Sequence, residues 1–345
     1  MIRVFSFPAA VLIFISLLAG CSLSDKDTLQ SFSGYAIGTS YSIKYVSQNT
    51  EPQTLQLGVE GVLSKIDRLM STYLPKSDIS TISAAPINQP IKIASETAEV
   101  LQAALSIAAA TDGRFDPTIA PLVNLWGFGP VIQRHQLPNP DDIDRLLARI
   151  DYRALDVQLD DPQVTKFKEL ELDLSAIAKG YAVDQIARFL EAKGINNYLV
   201  EVGGEMRLSG LKPNNESWRI AIEKPDVAER SAYRVLAVSD IAIATSGDYR
   251  NYFEIDGNRY SHTIDPSTGY PIVHNLASVT VMMDSSMQAD AYATAFLVMG
   301  VEEAFSYAEA HNIAAFFITK ADNEEGFESL QTSAYSALIE KSQTH

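Results

Sequence analysis

Cys21 is the only cysteine in a chain of 345 residues, and no other feature limits the possible folds so directly. One thiol cannot build a disulfide framework, so the fold must rest on a hydrophobic core. The setting of that thiol says more. Arg3 precedes an almost wholly apolar run, Val4 to Leu18, interrupted by Pro8, and Leu18-Ala19-Gly20 leads straight into Cys21. A short positive segment, an apolar stretch and small residues before a cysteine read as a secretory signal peptide of the lipoprotein type. The run is too short for a comfortable membrane span. Residues 1–20 are thus expected to be removed, Cys21 to be lipidated, and residues 21–31 to form a polar tether. Lipid chains hold a protein at a membrane surface rather than through it. That places the mature chain on the periplasmic side of a bacterial membrane, anchored by lipid alone.

Residues 32–345 are enough for a sizeable core. With 43 Asp and Glu against 27 Lys and Arg, the net charge is −16. Such a surface opposes binding to nucleic acid or anionic lipid, while an anionic ligand would need a local cation. Tyr41–Val46 alternates as a strand, Val59–Tyr73 has helical spacing, and Ser95–Asp112 predicts a helix with Ser95 as N-cap and Gly113 as stop. A short helix is expected over Ile143–Arg149. Glu169–Leu174 reads as a strand, Ala182–Lys193 as a helix closed by Gly194, and Asn197–Val202 as a buried strand. Strands follow over Tyr233–Val238 and Ile241–Thr245. Tyr252–Ile255 and Arg259–Thr263 flank Asp256-Gly257, a strong hairpin turn. Ser278–Met283 and Ala314–Thr319 read as strands around a helix, Met287–Met299. The elements mix without a regular βαβ rhythm, which predicts an α+β fold with mixed, largely antiparallel sheets flanked by helices.

Four segments could carry chemistry. Asp173 to Gly180 is a polar turn ahead of a helix, where free N–H groups suit phosphate; Lys179 could add charge and Gly180 could let a ligand approach. Read alone, it is equally a capped helix with a surface lysine. Asp290 and Thr294 stand four apart, so they share a helix face and could offer oxygens to Mg²⁺ among small neighbours. An aspartate serving the helix dipole is the alternative. Ser261 to Gly269 is turn-rich and holds His262, a proton carrier or a structural histidine. Gly113 to Gly129 is a loop whose aromatics and glycines could hold a planar ring or simply pack.

These four segments, together with Gly38-Thr39-Ser40-Tyr41, Met70-Ser71-Thr72-Tyr73, Val202-Gly203-Gly204 and Thr245-Ser246-Gly247, resemble the ApbE family, the FAD:protein FMN transferases. The resemblance spans nearly all of residues 32–345. It implies an ApbE-type fold with an active-site cleft between two subdomains, FAD as substrate and Mg²⁺ as cofactor. By motif, the Ala176 carbonyl, Asp290 and Thr294 match metal ligands. Ile37, Tyr73, Arg114, Phe115, Asp116, Asp173, Lys179 and Ile264 match FAD contacts. Asp290 or His262 could take the proton of an attacking hydroxyl. Ala293 stands where some members offer a second aspartate, and Lys179 is glutamate in others. The implied reaction moves FMN onto a threonine of an exported flavoprotein and releases AMP. The acceptors would be subunits of membrane redox complexes such as a Na⁺-translocating NADH:quinone reductase. FAD pyrophosphatase activity, or FAD binding without catalysis, are the competing readings.

Overall fold

A computed structural model describes residues 28–47, 51–130, 136–226, 231–249, 251–321 and 326–343. Cys21 and the signal segment lie outside the described residues. Among the described residues, fifteen strands run in chain order: β1 (Thr28–Ala36), β2 (Thr39–Ser47), β3 (Ile91–Lys92), β4 (Leu155–Gln158), β5 (Gln163–Lys166), β6 (Tyr198–Val202), β7 (Glu205–Ser209), β8 (Trp218–Glu223), β9 (Ala232–Val238), β10 (Ile241–Gly247), β11 (Tyr252–Ile255), β12 (Asn258–Ser261), β13 (Leu276–Met283), β14 (Ala314–Lys320) and β15 (Phe327–Gln331). The helices are α1 (Pro52–Met70), α2 (Asp78–Ala84), α3 (Ser95–Ala110), α4 (Ala120–Leu125), α5 (Pro140–Leu147), α6 (Ala178–Ala192), α7 (Ser286–Met299), α8 (Val301–Ala310) and α9 (Ser333–Gln343). The main sheet has eight strands in the order β1-β2-β6-β7-β10-β13-β14-β15, and every pairing in it is antiparallel.

Strand alternation divides the core between the two faces of this sheet. Tyr41, Ile43, Tyr198, Val200 and Val202 point to one face and pack with α1, α3 and α6; Val279, Val281 and Phe317 continue that face beneath α7 and α8. Leu199, Leu208, Ile243, Met282 and Phe316 point to the other face, where Trp218 and Ile220 of the separate β8–β9 ribbon and Tyr335 of α9 cover them. A smaller lobe gathers α4, α5 and the β11–β12 hairpin around Leu122, Trp126, Ile143, Phe253 and Ile264. Buried residues of α1 fall at 55, 59, 63, 66 and 70, the stripe that lets one helix face cover a sheet.

The local signals hold where they are local. Asp256 (φ 51°) and Gly257 (φ 76°) both adopt the left-handed conformation of a tight hairpin turn. The amide of Gly113 bonds the Ala108 carbonyl to end α3, as expected of the glycine. Four expectations are corrected by the structure. Glu169–Leu174 is not a strand: it makes one bridge, Glu171 with Ile119, and its other amides go elsewhere, Leu172 to the Ser83 hydroxyl and Asp173 to the Pro117 carbonyl. Ser95 is the first helical residue rather than the N-cap; Asp78 accepts from the Ala94 amide and the Thr97 hydroxyl at that helix start. The helix expected from Ala182 begins one turn earlier, at Ala178. β1 opens at Thr28, so the end of the segment read as tether contributes an edge strand.

Candidate active site

One end of the main sheet is a row of turns and strand ends: Ile37–Gly38, Gly203–Gly204, and Thr245–Gly247 at the close of β10. A cleft of about 980 Å³ is folded over this end. Its walls come from the helix-covered face, the small lobe and β8, consistent with a cleft between two parts of the fold. Every residue that sequence reasoning placed at the site lines it: Ile37, Tyr73, Arg114, Phe115, Asp116, Asp173, Ala176, Lys179, His262, Ile264, Asp290 and Thr294.

The centre is built by two helices. α7 starts with Ser285 as N-cap, and Asp184 of α6 reaches across to accept the Ser286 and Met287 amides and the Ser285 hydroxyl. That pins α7 and fixes Asp290 one turn in. Asp290 is buried, and its Oδ2 accepts the Gly180 amide at 3.0 Å. The free N–H group that looked suited to phosphate is thus taken by a carboxylate of this chain. Gly180 likewise serves packing: a Cβ there would stand 2.2 Å from the Ser286 carbonyl oxygen. It is glycine so that α7, not a ligand, can approach. Thr294 lies one turn further along, its hydroxyl 3.2 Å from that of Ser246 in β10.

Lys179 is committed to two acids. Its Nζ lies 3.3 and 3.4 Å from the Asp290 oxygens and 3.2 Å from Glu205 Oε1. Burial acts to lower the ammonium's affinity for its proton, but the two facing carboxylates outweigh it and hold Lys179 above the ordinary lysine range. Glu205 is pushed up to about 8, first by burial and then by Asp290, with Lys179 opposing. Its Oε2 is buried without a hydrogen-bond partner. Two carboxylates facing one ammonium leave an uncompensated negative charge when both are ionised. Among the described residues no three His, Cys, Asp or Glu side chains cluster as metal ligands. The donors that Ala176, Asp290 and Thr294 offer are a carbonyl, one carboxylate and a hydroxyl, all hard oxygens. That set fits Mg²⁺ sharing its shell with phosphate and water. Glu205 was missed in the sequence; its one signal is its place directly after Gly203-Gly204.

His262 follows β12 and is partly buried. Its Nδ1 sits 3.0 Å from the Asn251 carbonyl, which as an acceptor requires Nδ1 to carry the hydrogen. Nε2 is then the basic nitrogen. Burial, joined by the Lys179 charge, outweighs the Asn251 bond and Asp248 and lowers the imidazole's affinity for its second proton. At the rim, Tyr73 is 68% exposed. Ile37 adopts φ 45°, uncommon for a β-branched residue, in the tight turn before Gly38. Asp173 accepts the Ser175 amide. Arg114 pairs with Glu303 of α8 through Nε and Nη2, at 3.1 and 2.9 Å. Asp116 is held by the Thr118 amide and hydroxyl and the Tyr152 amide, so its carboxylate shapes the loop that borders the cleft. Phe115 and Ile264 are buried and present apolar surface to the cleft.

The chain is similar to known proteins along most of its length. The ApbE family profile matches residues 37–317. A relative from Vibrio cholerae named FAD:protein FMN transferase is 41% identical over 329 residues, 94% of this chain and 96% of the relative. One of the same name from Haemophilus influenzae is 39% identical over 331 residues, 94% of each. Among solved structures, the apo flavinyl transferase ApbE of Pseudomonas stutzeri superposes with a TM-score of 0.84 at 39% identity, covering 91% of this chain and 98% of that one. An ApbE protein from Thermotoga maritima gives 0.80 at 29% identity, covering 90% and 99%. The Vibrio cholerae flavin transferase ApbE has also been solved as a histidine-to-glycine variant. The chain belongs to the ApbE family.

Proposed function

We propose that this chain is an FAD:protein FMN transferase that attaches FMN to a threonine of an exported acceptor and releases AMP. The observation that carries the reading is the convergence of Asp290, Thr294, Ala176, Lys179 and His262 on one cleft, in a chain 41% identical to a relative of that name. The threonine Oγ attacks the FMN-side phosphorus of FAD. A new O–P bond forms, the bond from that phosphorus to the bridging oxygen breaks, and AMP leaves with that oxygen. The hydroxyl proton passes to Nε2 of His262. The Nδ1 contact with Asn251 and the lowered imidazole pKa support His262 as base, because they favour the neutral form with a lone pair on Nε2. Asp290 suits that role less, since Gly180 and Lys179 already engage its oxygens. Ala176, Asp290 and Thr294 would hold Mg²⁺, which when bound neutralises charge on the pyrophosphate. Phe115 and Ile264 offer apolar surface against a ring system, and Tyr73 could close over it from the rim.

The order at Leu18–Cys21 supports an exported, lipid-anchored enzyme, and acceptors of the Na⁺-translocating NADH:quinone reductase kind are the partners such a location suits. Incubation with FAD, Mg²⁺ and an FMN-acceptor domain of such a subunit, followed by mass spectrometry, is expected to show FMN on one threonine and an equal yield of AMP. Release of AMP and free FMN with no labelled acceptor would make the chain an FAD pyrophosphatase instead. Mass spectrometry of membrane-extracted protein is expected to find a lipidated Cys21 as the first residue; residues 1–20 still attached would refute the anchor.

A further inference from the structure

The cleft extends past every residue matched to flavin or metal. Those residues lie on the helix-covered side of the sheet, at its strand-end turns or in the small lobe. Beyond the Gly203–Gly204 turn the cleft continues onto the opposite face, where Lys44, Leu199, Glu201 and Met206 line it. Strand alternation fixes the face: Ile43 and Val200 belong to the helix-side core, so their neighbours Lys44, Leu199 and Glu201 point the other way. Gly204, at φ 107°, has no atom other than those of its chain neighbours within 4 Å of where a Cβ would stand, so at this point the turn offers open space between the two arms.

One wall of this second arm is a strand edge. Three consecutive residues of β8, Arg219, Ile220 and Ala221, line the cleft, and no described residue of β9 does. β8 pairs with β9 alone among the described residues. The edge that faces the cleft is therefore the edge away from β9, with backbone N–H and C=O groups that lack a strand partner. An unpaired edge is a template for an added strand, with main-chain hydrogen bonds giving affinity and flanking side chains giving choice. Lys44 and Arg219 are exposed cations of the arm, while its carboxylates, Glu201 and Glu223, are half-buried and each is engaged by a neighbour. The two exposed cations suit a segment that carries carboxylates.

We propose that this second arm is the acceptor subsite: an extended, carboxylate-bearing segment of the acceptor adds to β8 as a third strand, crosses the Gly203–Gly204 turn and delivers its threonine to the Asp290–His262 end. The proposal rests on the transferase reading, since hydrolysis of FAD would need no place for a second macromolecule.

The test uses FAD-loaded enzyme and the FMN-acceptor domain of a Na⁺-translocating NADH:quinone reductase subunit whose target threonine is replaced by valine, so that the complex persists. Hydrogen exchange should slow at the amides of residues 218–223 when the domain is added. With the unmodified domain, Ala221→Trp should raise the acceptor KM by about tenfold and Lys44→Glu by about fivefold, with FAD affinity unchanged in both. Ala221 and Lys44 are exposed, so neither change cuts into the core. Wild-type transfer together with unaltered exchange in β8 and unaltered acceptor KM in both variants would overturn the acceptor arm and leave the transferase reading standing. A wild-type enzyme that labels no acceptor while releasing AMP and FMN would overturn both.

Discussion

The starts of α6 and α7 face each other, and each is bound by a carboxylate from the other helix. Asp184 of α6 takes the Ser286 and Met287 amides and the Ser285 hydroxyl at the start of α7; Asp290 of α7 takes the Gly180 amide at the start of α6. The likeness ends there. Asp184 also accepts Arg207 at 2.8 Å, so fixed donors occupy both its oxygens, and it does not line the cleft. Asp290 has one fixed donor, lines the cleft and otherwise faces Lys179, an ammonium on a flexible stem. A carboxylate saturated by backbone and guanidinium donors has no capacity left for a ligand. One balanced by an exchangeable counter-ion keeps that capacity, so the same residue type is saturated on one helix and open to a ligand on the next.

The comparison breaks most sharply at Asp290. Asp290→Ala should lower FMN transfer by about a thousandfold, about 4 kcal/mol of transition-state stabilisation, while FAD binding survives in part. Transfer measured at saturating FAD with Mg²⁺ titrated decides it, and near-normal transfer would reduce Asp290 to a second Asp184. Asp184→Ala should act in the opposite way. It leaves Arg207 and two α7 amides without their partner, so stability in urea should fall by about 3 kcal/mol, with kcat of the folded enzyme changed much less. A variant as stable as wild type but inactive would reverse the assignment.

Gly180→Ala probes the contact that lets the two helices reach each other. A Cβ at 2.2 Å from the Ser286 carbonyl oxygen must push α7 away, for about 2 kcal/mol of lost stability and a weaker Asp290 bond to the α6 start. Unchanged melting would show that the helices can separate freely. A pH-dependent effect is expected from Glu205, which shares Lys179 with Asp290. Its carboxyl rises from the ordinary 4.5 to about 8, chiefly through burial. The folded protein thus keeps a proton that the unfolded chain gives up, and the stability this supplies is present below 4.5 and lost as pH rises toward 8. Glu205→Gln should flatten that decline, read as Tm against pH; an unchanged slope would mean that Glu205 is ionised throughout.

Much of this was legible from residues close in the chain. The left-handed pair Asp256-Gly257 made a hairpin, the 3.6-residue stripe made α1, and the four-residue spacing of Asp290 and Thr294 put both on the cleft side of α7. Other features depended on partners far away in sequence. Glu169–Leu174 had the composition of a strand, but among the described residues it finds only a single bridge, to Ile119. Gly180 and Lys179 looked like parts of a phosphate site because nothing nearby in sequence could show that Asp290, 110 and 111 residues away, would claim both.

By itself, then, the sequence determined the α+β character, the family and a set of residues that the fold brings to one cleft. These follow from local periodicity, turn chemistry and motif order, which any short stretch carries within itself. Only the tertiary structure decided that Gly180 makes room for a helix, that Glu205 joins Lys179 and Asp290 in one buried cluster, and that the free edge of β8 turns toward the active site. Each of these depends on which distant backbone or charge comes to lie alongside, and burial then sets its consequence by stripping water from whatever has been brought together.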